Sequence, residues 1–311
     1  MEKRKIGSLE VSVVGLGCNN FGWRIDAAGT AQVVDAAFDA GINFFDTADI
    51  YGAGQSEQFL GPALGPRRKQ IVLATKFGMK SGDVMPGGAK PAYVKQALED
   101  SLRRLGTDYI DLYQLHKPDD TTPIADTLGA LNDLVKEGKV REIGCSNFIA
   151  EQLMQAGAGA GQTVKGGAAR FVSVQNHYSL LHREPETAGV LAECVRANIS
   201  FIPYFPLENG LLSGKYRTGQ PHPEGSRGQV GFGPKIFTEE NLKKADSLSA
   251  YAKSQGHTLL ELSMSWLASR PAVASVIAGA RTPEQVHSNA SSTNWRLSPA
   301  DLSEIESRLS S

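Results

Sequence analysis

The chain has 311 residues, of which 41% are hydrophobic and 21% charged, and its formal net charge at pH 7 is −1. This composition is typical of an ordinary soluble globular protein with one large domain or two smaller ones. The near-zero charge, with Lys and Arg scattered along the chain, argues against nucleic acid or an anionic membrane surface as a partner.

Cysteine usage and the first residues bear on the cellular compartment. Cys18, Cys145 and Cys194 are odd in number and far apart, which argues against a disulfide framework and a structural zinc site. The histidines have no second ligand at useful spacing, so no metal site is expected. No run approaches the ~18 apolar residues of a membrane span, and no signal segment stands at the N-terminus. These features predict a cytoplasmic protein without a membrane anchor.

Strand-like and helix-like segments alternate through the first half of the chain. Residues 4–14 alternate between apolar and polar on either side of Gly7-Ser8, which predicts a β-hairpin. The predicted elements that follow are strand 13–17, helix 31–40, strand 43–46, helix 56–64, strand 70–76, helix 91–105, strand 109–116, helix 123–137 and strand 140–145.

The same alternation continues to the C-terminus. The predicted elements are helix 150–156, strand 171–175, helix 186–197, strand 199–205, helices 240–254 and 258–269, strand 273–278, and helices 283–290 and 299–309. Eight βα units without an internal linker favour an α/β fold, a (β/α)8 TIM barrel that forms one domain over 1–311, rather than an open Rossmann sheet.

Two glycine-rich segments interrupt this pattern. Residues 157–161 imitate a dinucleotide fingerprint but follow a helix rather than a strand, so we interpret them as a flexible loop. Residues 209–238, after the seventh barrel strand, are too long for an ordinary βα loop. Loops of this length tend to be lids or binding segments.

Titratable residues stand at the carboxyl ends of three predicted strands. Asp46, Lys76 and His116 end the second, third and fourth strands, and Tyr51 lies in the loop after Asp46. Barrel chemistry is assembled at this rim, so we expect the four side chains to converge. Each one also has an ordinary structural explanation: a capping Asp, a packed loop Tyr, a Lys extended along apolar surface and a core His.

Together the four residues suit proton donation to a carbonyl oxygen. A phenol has an unperturbed pKa of about 10, and a nearby ammonium such as that of Lys76 lowers the pKa of Tyr51. Asp46 would be the counter-ion of Lys76, and His116 would hydrogen-bond a substrate oxygen or pass protons to Tyr51. Such a donor performs half of an aldehyde or ketone reduction. The other half is a hydride, which only a cofactor can provide.

Longer stretches carry a family resemblance. They are Gly15-Leu-Gly-Cys18, 41–52, 74–77, 101–116, 138–148, 175–178, 210–216 and 282–286 with Asn289. In these motifs, which run in order from end to end, the sequence resembles an aldo-keto reductase. The resemblance implies a catalytic tetrad of Asp46, Tyr51, Lys76 and His116. It also implies that the cofactor NADP(H) lies across the barrel mouth under the long loop after strand 7.

The resemblance further implies a set of cofactor-binding residues. They are Gly17, Cys18, Ser146, Asn147, Gln175, Tyr204, Pro206, Leu207, Gly210, Leu212, Lys215, Gly279, Arg281, Gln285 and Asn289.

These positions divide along the cofactor. Ser146, Asn147 and Gln175 resemble the ligands of the carboxamide, and Tyr204 resembles the ring that stacks under the nicotinamide. Gly210, Leu212 and Lys215 match the segment that folds over the pyrophosphate. The last four, from Gly279 to Asn289, match the adenosine phosphate region.

Two positions leave the cofactor contacts open. Arg281 suits the 2′-phosphate of NADP, although an ordinary surface role stays open. Glu208 departs from the family pattern and would bring an anion close to the phosphates.

The implied function is reduction of aldehyde, ketone or sugar carbonyls to alcohols, with Tyr51 as general acid. The expected substrate pocket includes Trp23, Phe77 and Tyr178. A redox-sensing subunit that holds the cofactor and an NAD(P)-dependent sugar or polyol dehydrogenase stay open as alternatives. The expected partner is a small-molecule carbonyl substrate, and the oligomeric state is unknown.

Overall fold

The computed structural model describes residues 1–80, 85–161, 170–224, 226 and 233–310. Its strands are β1 (Lys3–Ile6), β2 (Leu9–Ser12), β3 (Val14–Gly17), β4 (Phe44–Asp46), β5 (Val72–Phe77), β6 (Ile110–Leu115), β7 (Val140–Ser146), β8 (Phe171–His177), β9 (Ser200–Tyr204) and β10 (Val276–Gly279).

Eight of these strands form a parallel barrel, which confirms the predicted TIM-barrel fold. The sheet runs from β3 to β9 in chain order, with β10 on the other side of β3. The barrel closes through residues just before β10: the Phe201 N–H donates to Ala272 O over 2.7 Å, and the Ala274 N–H donates to Phe201 O over 3.0 Å. Strands β5 and β6 are buried along their whole length, as expected for parallel strands that are covered on both faces.

The helices cover the outside of this barrel. They are α1 (Ala27–Asp39), α2 (Gln55–Leu64), α3 (Pro91–Leu105), α4 (Ile124–Lys136), α5 (Ala150–Gly161), α6 (Glu184–Thr187), α7 (Val190–Ala197), α8 (Gly233–Ile236), α9 (Glu239–Ser254), α10 (Leu259–Ala268), α11 (Pro283–Ser291) and α12 (Pro299–Ser310). Within the ranges described here, none of them is long and apolar enough to cross a membrane.

The predicted hairpin closes one end of the barrel. Strands β1 and β2 pair antiparallel from Lys3 with Ser12 to Ile6 with Leu9. Buried Ile6, Leu9 and Val11 belong to one apolar cluster with residues of the barrel strands, among them Phe44. The amino-terminal end of the barrel is therefore packed with side chains, and the opposite end stays available for a site.

Three expectations about helices and loops need correction. The helix expected over 186–197 is two helices, α6 and α7, because Gly189 adopts φ +74° between them. The segment 157–161 continues α5 and is not a loop, since elongation of an existing helix tolerates glycine at about 1 kcal/mol each. The expected loop 209–238 contains the end of a 3-10 turn at Glu208–Ser213 and α8, while 225 and 227–232 lie outside the described residues.

Candidate active site

The structure brings the four predicted catalytic side chains together. Lys76 Nζ donates to Asp46 Oδ2 over 2.6 Å and to Tyr51 OH over 3.4 Å. The Tyr51 and His116 rings meet edge-on, with centroids 5.9 Å apart and planes at 81°. Asp46 ends β4, Lys76 lies in β5, His116 follows β6, and Tyr51 opens the 3-10 turn Tyr51–Gly54. Three neighbouring strand ends and one loop thus build the group.

A buried ion pair lies at the centre of this group. Lys76 is 0% exposed and its Nζ also donates to Thr47 O over 2.9 Å. The second oxygen of Asp46 accepts from Gln114 Nε2 at 3.1 Å and from Gln175 Nε2 at 2.9 Å. Because both charges have several hydrogen-bond partners, their positions are fixed and the cost of burying them is offset.

A left-handed turn aims Tyr51 at the ammonium. Gly52 and Ala53 follow it with φ of 58° and 53°. A Cβ atom on Gly52 would lie 3.1 Å from Phe21 O, so the turn packs tightly against the segment after β3. Ser56 Oγ ties the same two segments together by donating to Cys18 O over 2.9 Å. The glycine after Tyr51 is therefore required both by its backbone angles and by this close approach.

Burial decides the protonation states of the tetrad. Burial raises the pKa of the Tyr51 phenol more than the Lys76 charge lowers it, so the lowered pKa expected from the sequence was wrong in direction. Burial lowers the pKa of Lys76, but Asp46 and Tyr51 outweigh it and the net pKa is raised. Burial, with the charges of Lys76 and Lys117, lowers the pKa of His116 well below its usual value. At neutral pH Tyr51 is therefore a neutral phenol, Lys76 is an ammonium and His116 is a neutral imidazole.

A cavity of about 630 Å³ opens directly above this group. Asp46, Tyr51 and His116 line it, whereas Lys76 lies beneath them. The predicted cofactor residues that line it are Gly17, Cys18, Ser146, Asn147, Gln175, Tyr204, Pro206, Leu207, Gly210, Lys215, Gly279, Arg281, Gln285 and Asn289.

Leu212 is the predicted cofactor residue that the structure places elsewhere. Its side chain is fully buried in the main apolar core and does not line the cavity. The 3-10 turn that contains it turns its apolar side chains inward, which corrects the expectation of a cofactor contact.

The amide groups near the tetrad form a connected network. Asn147 Nδ2 donates to His116 O over 2.9 Å and to Ser146 Oγ over 3.1 Å, while Asn147 Oδ1 accepts from Tyr204 OH at 2.9 Å. Gln175 uses its amide nitrogen on Asp46. A carboxamide at this place would therefore meet the remaining lone pairs of the two amide oxygens, or take over one of these bonds.

Cationic and glycine residues line the cavity beyond the amides. Gly210 adopts φ +96°, and the cavity lining includes Lys215 and Arg281. The Arg281 N–H donates to Gln285 Oε1 over 2.9 Å at the start of α11. The cavity lining thus combines an aromatic ring, side-chain amides and two cations. A nicotinamide dinucleotide needs these groups for its ring, its carboxamide and its phosphates, so the residues fit that cofactor.

Glu208 points away from these cations. It is 5% exposed, its Oε2 accepts from Ser179 Oγ at 2.6 Å, and it pairs with His177 Nε2 at 3.0 Å. It lines a separate cavity of about 340 Å³ and is not among the residues of the larger one. The carboxylate expected near the phosphates is thus held by Ser179 and His177 on the other side of the loop.

The expected substrate-pocket residues lie outside the cavity lining. Trp23 is 62% exposed, with Arg24 over its ring at 4.5 Å. Phe77 is buried and stacks on Tyr113, because alternation along β5 sends it to the opposite face from Lys76. Tyr178 is buried against Trp266 of α10. This placement corrects the expectation for Phe77 and Tyr178, which belong to the core.

Other residues line the cavity without having been predicted. They are Asn19, Asn20, Arg24 and Met79, with several more on the loop after β9, on β10 and on α10 and α11. The first two follow β3 at its carboxyl end, where the strand-end argument applied to Asp46 would have found them.

Comparison with known proteins agrees with this geometry. A model of the Aldo/keto reductase family matches residues 13–309. The uncharacterized oxidoreductase YqkF of Bacillus subtilis is 35% identical over 99% of this chain and 96% of its own. The L-glyceraldehyde 3-phosphate reductase of Escherichia coli K12 is 30% identical over 97% of this chain and 90% of its own. Aldo-keto reductase yakc of Schizosaccharomyces pombe, named for NADP(+), is 33% identical over 97% and 89%. The chain therefore belongs to the aldo/keto reductase family of oxidoreductases.

Proposed function

We propose that this protein is an NADPH-dependent reductase that converts aldehyde, ketone or sugar carbonyls to alcohols. One observation carries the proposal: the buried Lys76 donates to Tyr51 OH at 3.4 Å beneath a cavity that the phenol lines. Because the ammonium donates to the phenol oxygen, the phenol proton is free to point to another acceptor. A carbonyl oxygen in the cavity is such an acceptor.

The chain's own residues account for the proton half of the reaction. Tyr51 keeps its proton until a stronger base forms, since burial raises the pKa of the phenol. It then donates that proton to the oxygen that is becoming an alkoxide. Lys76 faces the phenolate that remains and stabilises it, and Asp46 keeps Lys76 charged and in place. A bound nicotinamide dinucleotide would supply the hydride.

His116 is proposed to orient the substrate. Its imidazole lines the cavity beside Tyr51, and it is neutral because burial lowers its pKa. A neutral imidazole offers one donor and one acceptor, so it can hydrogen-bond the same substrate oxygen that Tyr51 protonates. Two donors on one oxygen favour the developing alkoxide over the ground-state carbonyl.

Several features support NADP(H) as the cofactor. Lys215 and Arg281 add positive charge to the cavity lining, which suits a pyrophosphate and a 2′-phosphate. The name of the fission-yeast relative specifies NADP(+). We further propose that the protein works in the cytoplasm, where its three buried free thiols would stay reduced.

A substrate screen tests this proposal against its rivals. Purified protein is incubated with NADPH and a panel of aldehydes, ketones and sugars, and the loss of NADPH absorbance is followed. The proposal expects turnover of at least one class, with a lower KM for NADPH than for NADH. Tight NADPH binding with negligible turnover across the panel would instead favour a sensing subunit. Faster oxidation of sugars or polyols by NADP(+) would favour a dehydrogenase.

A further inference from the structure

Three rings stand in a row beside the cavity. His182 stacks on His177 with centroids 3.8 Å apart and planes at 8°. His177 in turn lies against Tyr204, with centroids 5.4 Å apart and planes at 16°. Phe205 meets both neighbours edge-on, at 5.6 Å from His177 and 5.2 Å from Tyr204. The near-parallel planes make one continuous stack that ends on the Tyr204 ring.

Tyr204 forms a wall between two cavities. It lines the 630 Å³ cavity of the tetrad and also the 340 Å³ cavity that His177 and His182 line. The hydrogen bond from its OH to Asn147 Oδ1 holds one end of the ring. His177 lies behind the ring on the side of the smaller cavity, so the two contacts together define the ring plane.

Glu208 and Ser179 lock the two histidines in place. Glu208 Oε2 pairs with His177 Nε2 and accepts from Ser179 Oγ. Ser179 Oγ also accepts from the His182 N–H at 3.0 Å, and the Ser179 N–H donates to His182 O over 3.0 Å. Glu208 takes a left-handed φ of 46° to reach this position. A backbone angle that is unfavourable for glutamate is thus kept by the contacts of its carboxylate.

We propose that His177 and His182, locked by Glu208, are positioning residues that hold the Tyr204 ring as a platform for the nicotinamide. The inference rests on the proposed function, because it needs a nicotinamide on the cavity side of Tyr204. It assigns a role to Glu208, the residue that departs from the family pattern. Without the histidine rings behind it, Tyr204 can tilt into the smaller cavity, and the stacking surface in the larger one is lost.

The experiment compares two ligands that differ in the nicotinamide. Dissociation constants are measured for NADPH and for 2′-phospho-ADP-ribose, which lacks the nicotinamide ring. The matched pair is His177→Leu and His177→Phe, both in a Glu208→Gln background so that no buried carboxylate loses its histidine partner, and both are compared with Glu208→Gln alone. His182→Leu is a milder variant that leaves the Glu208 contacts intact. His257→Leu is the control, since His257 stacks on Trp295 at 4.2 Å and lies outside both cavities.

The expected result is specific to the ligand and to the ring. His177→Leu should weaken NADPH binding about threefold to tenfold, the loss expected when one ring contact disappears. His177→Phe should restore most of that loss, and His182→Leu should show a smaller loss. All variants should bind 2′-phospho-ADP-ribose within about twofold of wild type, and the control should bind both ligands as wild type does.

Three results would overturn the inference, and they are distinguishable. Suppose that wild-type protein binds NADPH but that His177→Leu and His177→Phe bind it with the same dissociation constant. The histidines then do not position Tyr204, and the proposed function is unaffected. Equal weakening of both ligands also contradicts the inference, because it indicates a general structural loss. If wild-type protein binds neither ligand, the proposed function fails and the inference fails with it.

Discussion

Two opposing effects set the chemistry of Tyr51. Burial raises the pKa of its phenol, and the Lys76 ammonium at 3.4 Å lowers it, with burial the larger effect. The phenol is consequently protonated at neutral pH and is not a phenolate. In the proposed reaction Lys76 matters most after the proton has left, when it faces a phenolate.

Replacement of Lys76 by methionine should separate this electrostatic role from binding. We expect Lys76→Met to lower kcat by about 10²- to 10⁴-fold, the usual contribution of a positioned acid–base group, with little change in NADPH affinity. The variant also leaves Asp46 buried without its cation, which should cost about 3 to 5 kcal/mol of unfolding free energy. Steady-state kinetics and urea unfolding measure the two effects.

A double variant is the matched control for that experiment. Lys76→Met with Asp46→Asn removes both charges and should recover much of the lost stability without recovering kcat. Full activity in either variant would contradict the role given to the ammonium.

Asp49 is a second buried carboxyl group near the tetrad, and it should make stability depend on pH. Burial, and then the neighbouring Glu57 charge, raise its pKa to about 7. The raised pKa means that the folded state binds this proton more tightly than the unfolded chain does. Its contribution to stability is therefore complete below about pH 4 and is lost as the pH rises to about 7.

The variant Asp49→Asn removes this dependence. Its unfolding free energy relative to wild type should increase between about pH 4 and 7, by about 2 to 4 kcal/mol, and level off above. Denaturant unfolding at several pH values measures it, with exposed Asp120→Asn as the surface control. A constant difference between Asp49→Asn and wild type across that range would show that Asp49 is not the group responsible.

At the scale of elements, strand ends were easier to predict than side-chain directions. Asp46, Lys76 and His116 could be assigned to one rim because apolar runs ended at them. The inward direction of Leu212 and the turn of Glu208 away from the cavity depend on left-handed residues in the loop after β9. The partial burial of Tyr51, which reversed its expected pKa shift, likewise depends on packing between distant segments.

The turn after β4 offers a test of how an element positions the phenol. Gly52 has φ +58° and a Cβ atom there would lie 3.1 Å from Phe21 O, whereas Gly41 has φ +74° with nothing within 4 Å. Both alanine substitutions should cost about 1 kcal/mol for the backbone angle. Only Gly52→Ala should also lower kcat, by about tenfold, because the turn must move and carry Tyr51 with it.

Thermal unfolding and steady-state kinetics on the two variants check this prediction. Equal kcat values for Gly52→Ala and Gly41→Ala would mean that the close approach of the turn to the segment after β3 does not position Tyr51.

For the whole molecule, the barrel separates stability from chemistry. The hairpin and the inner strand residues fill one end with apolar side chains, and the tetrad with its cavity occupies the other. The eight βα units were readable from the sequence because each repeats the same apolar pattern. Which more distant loop residues share the cavity could not be predicted, since Arg24 and Met79 come together only after the barrel closes.

The most direct test of the central claim is single-turnover reduction by Tyr51→Phe. The variant removes one hydroxyl and leaves the ring, so NADPH affinity should stay within about twofold of wild type. Reduction of the best carbonyl substrate should fall by about 10²- to 10⁴-fold. Unchanged reduction with cofactor bound would contradict the account, because the phenol would then not be the proton donor.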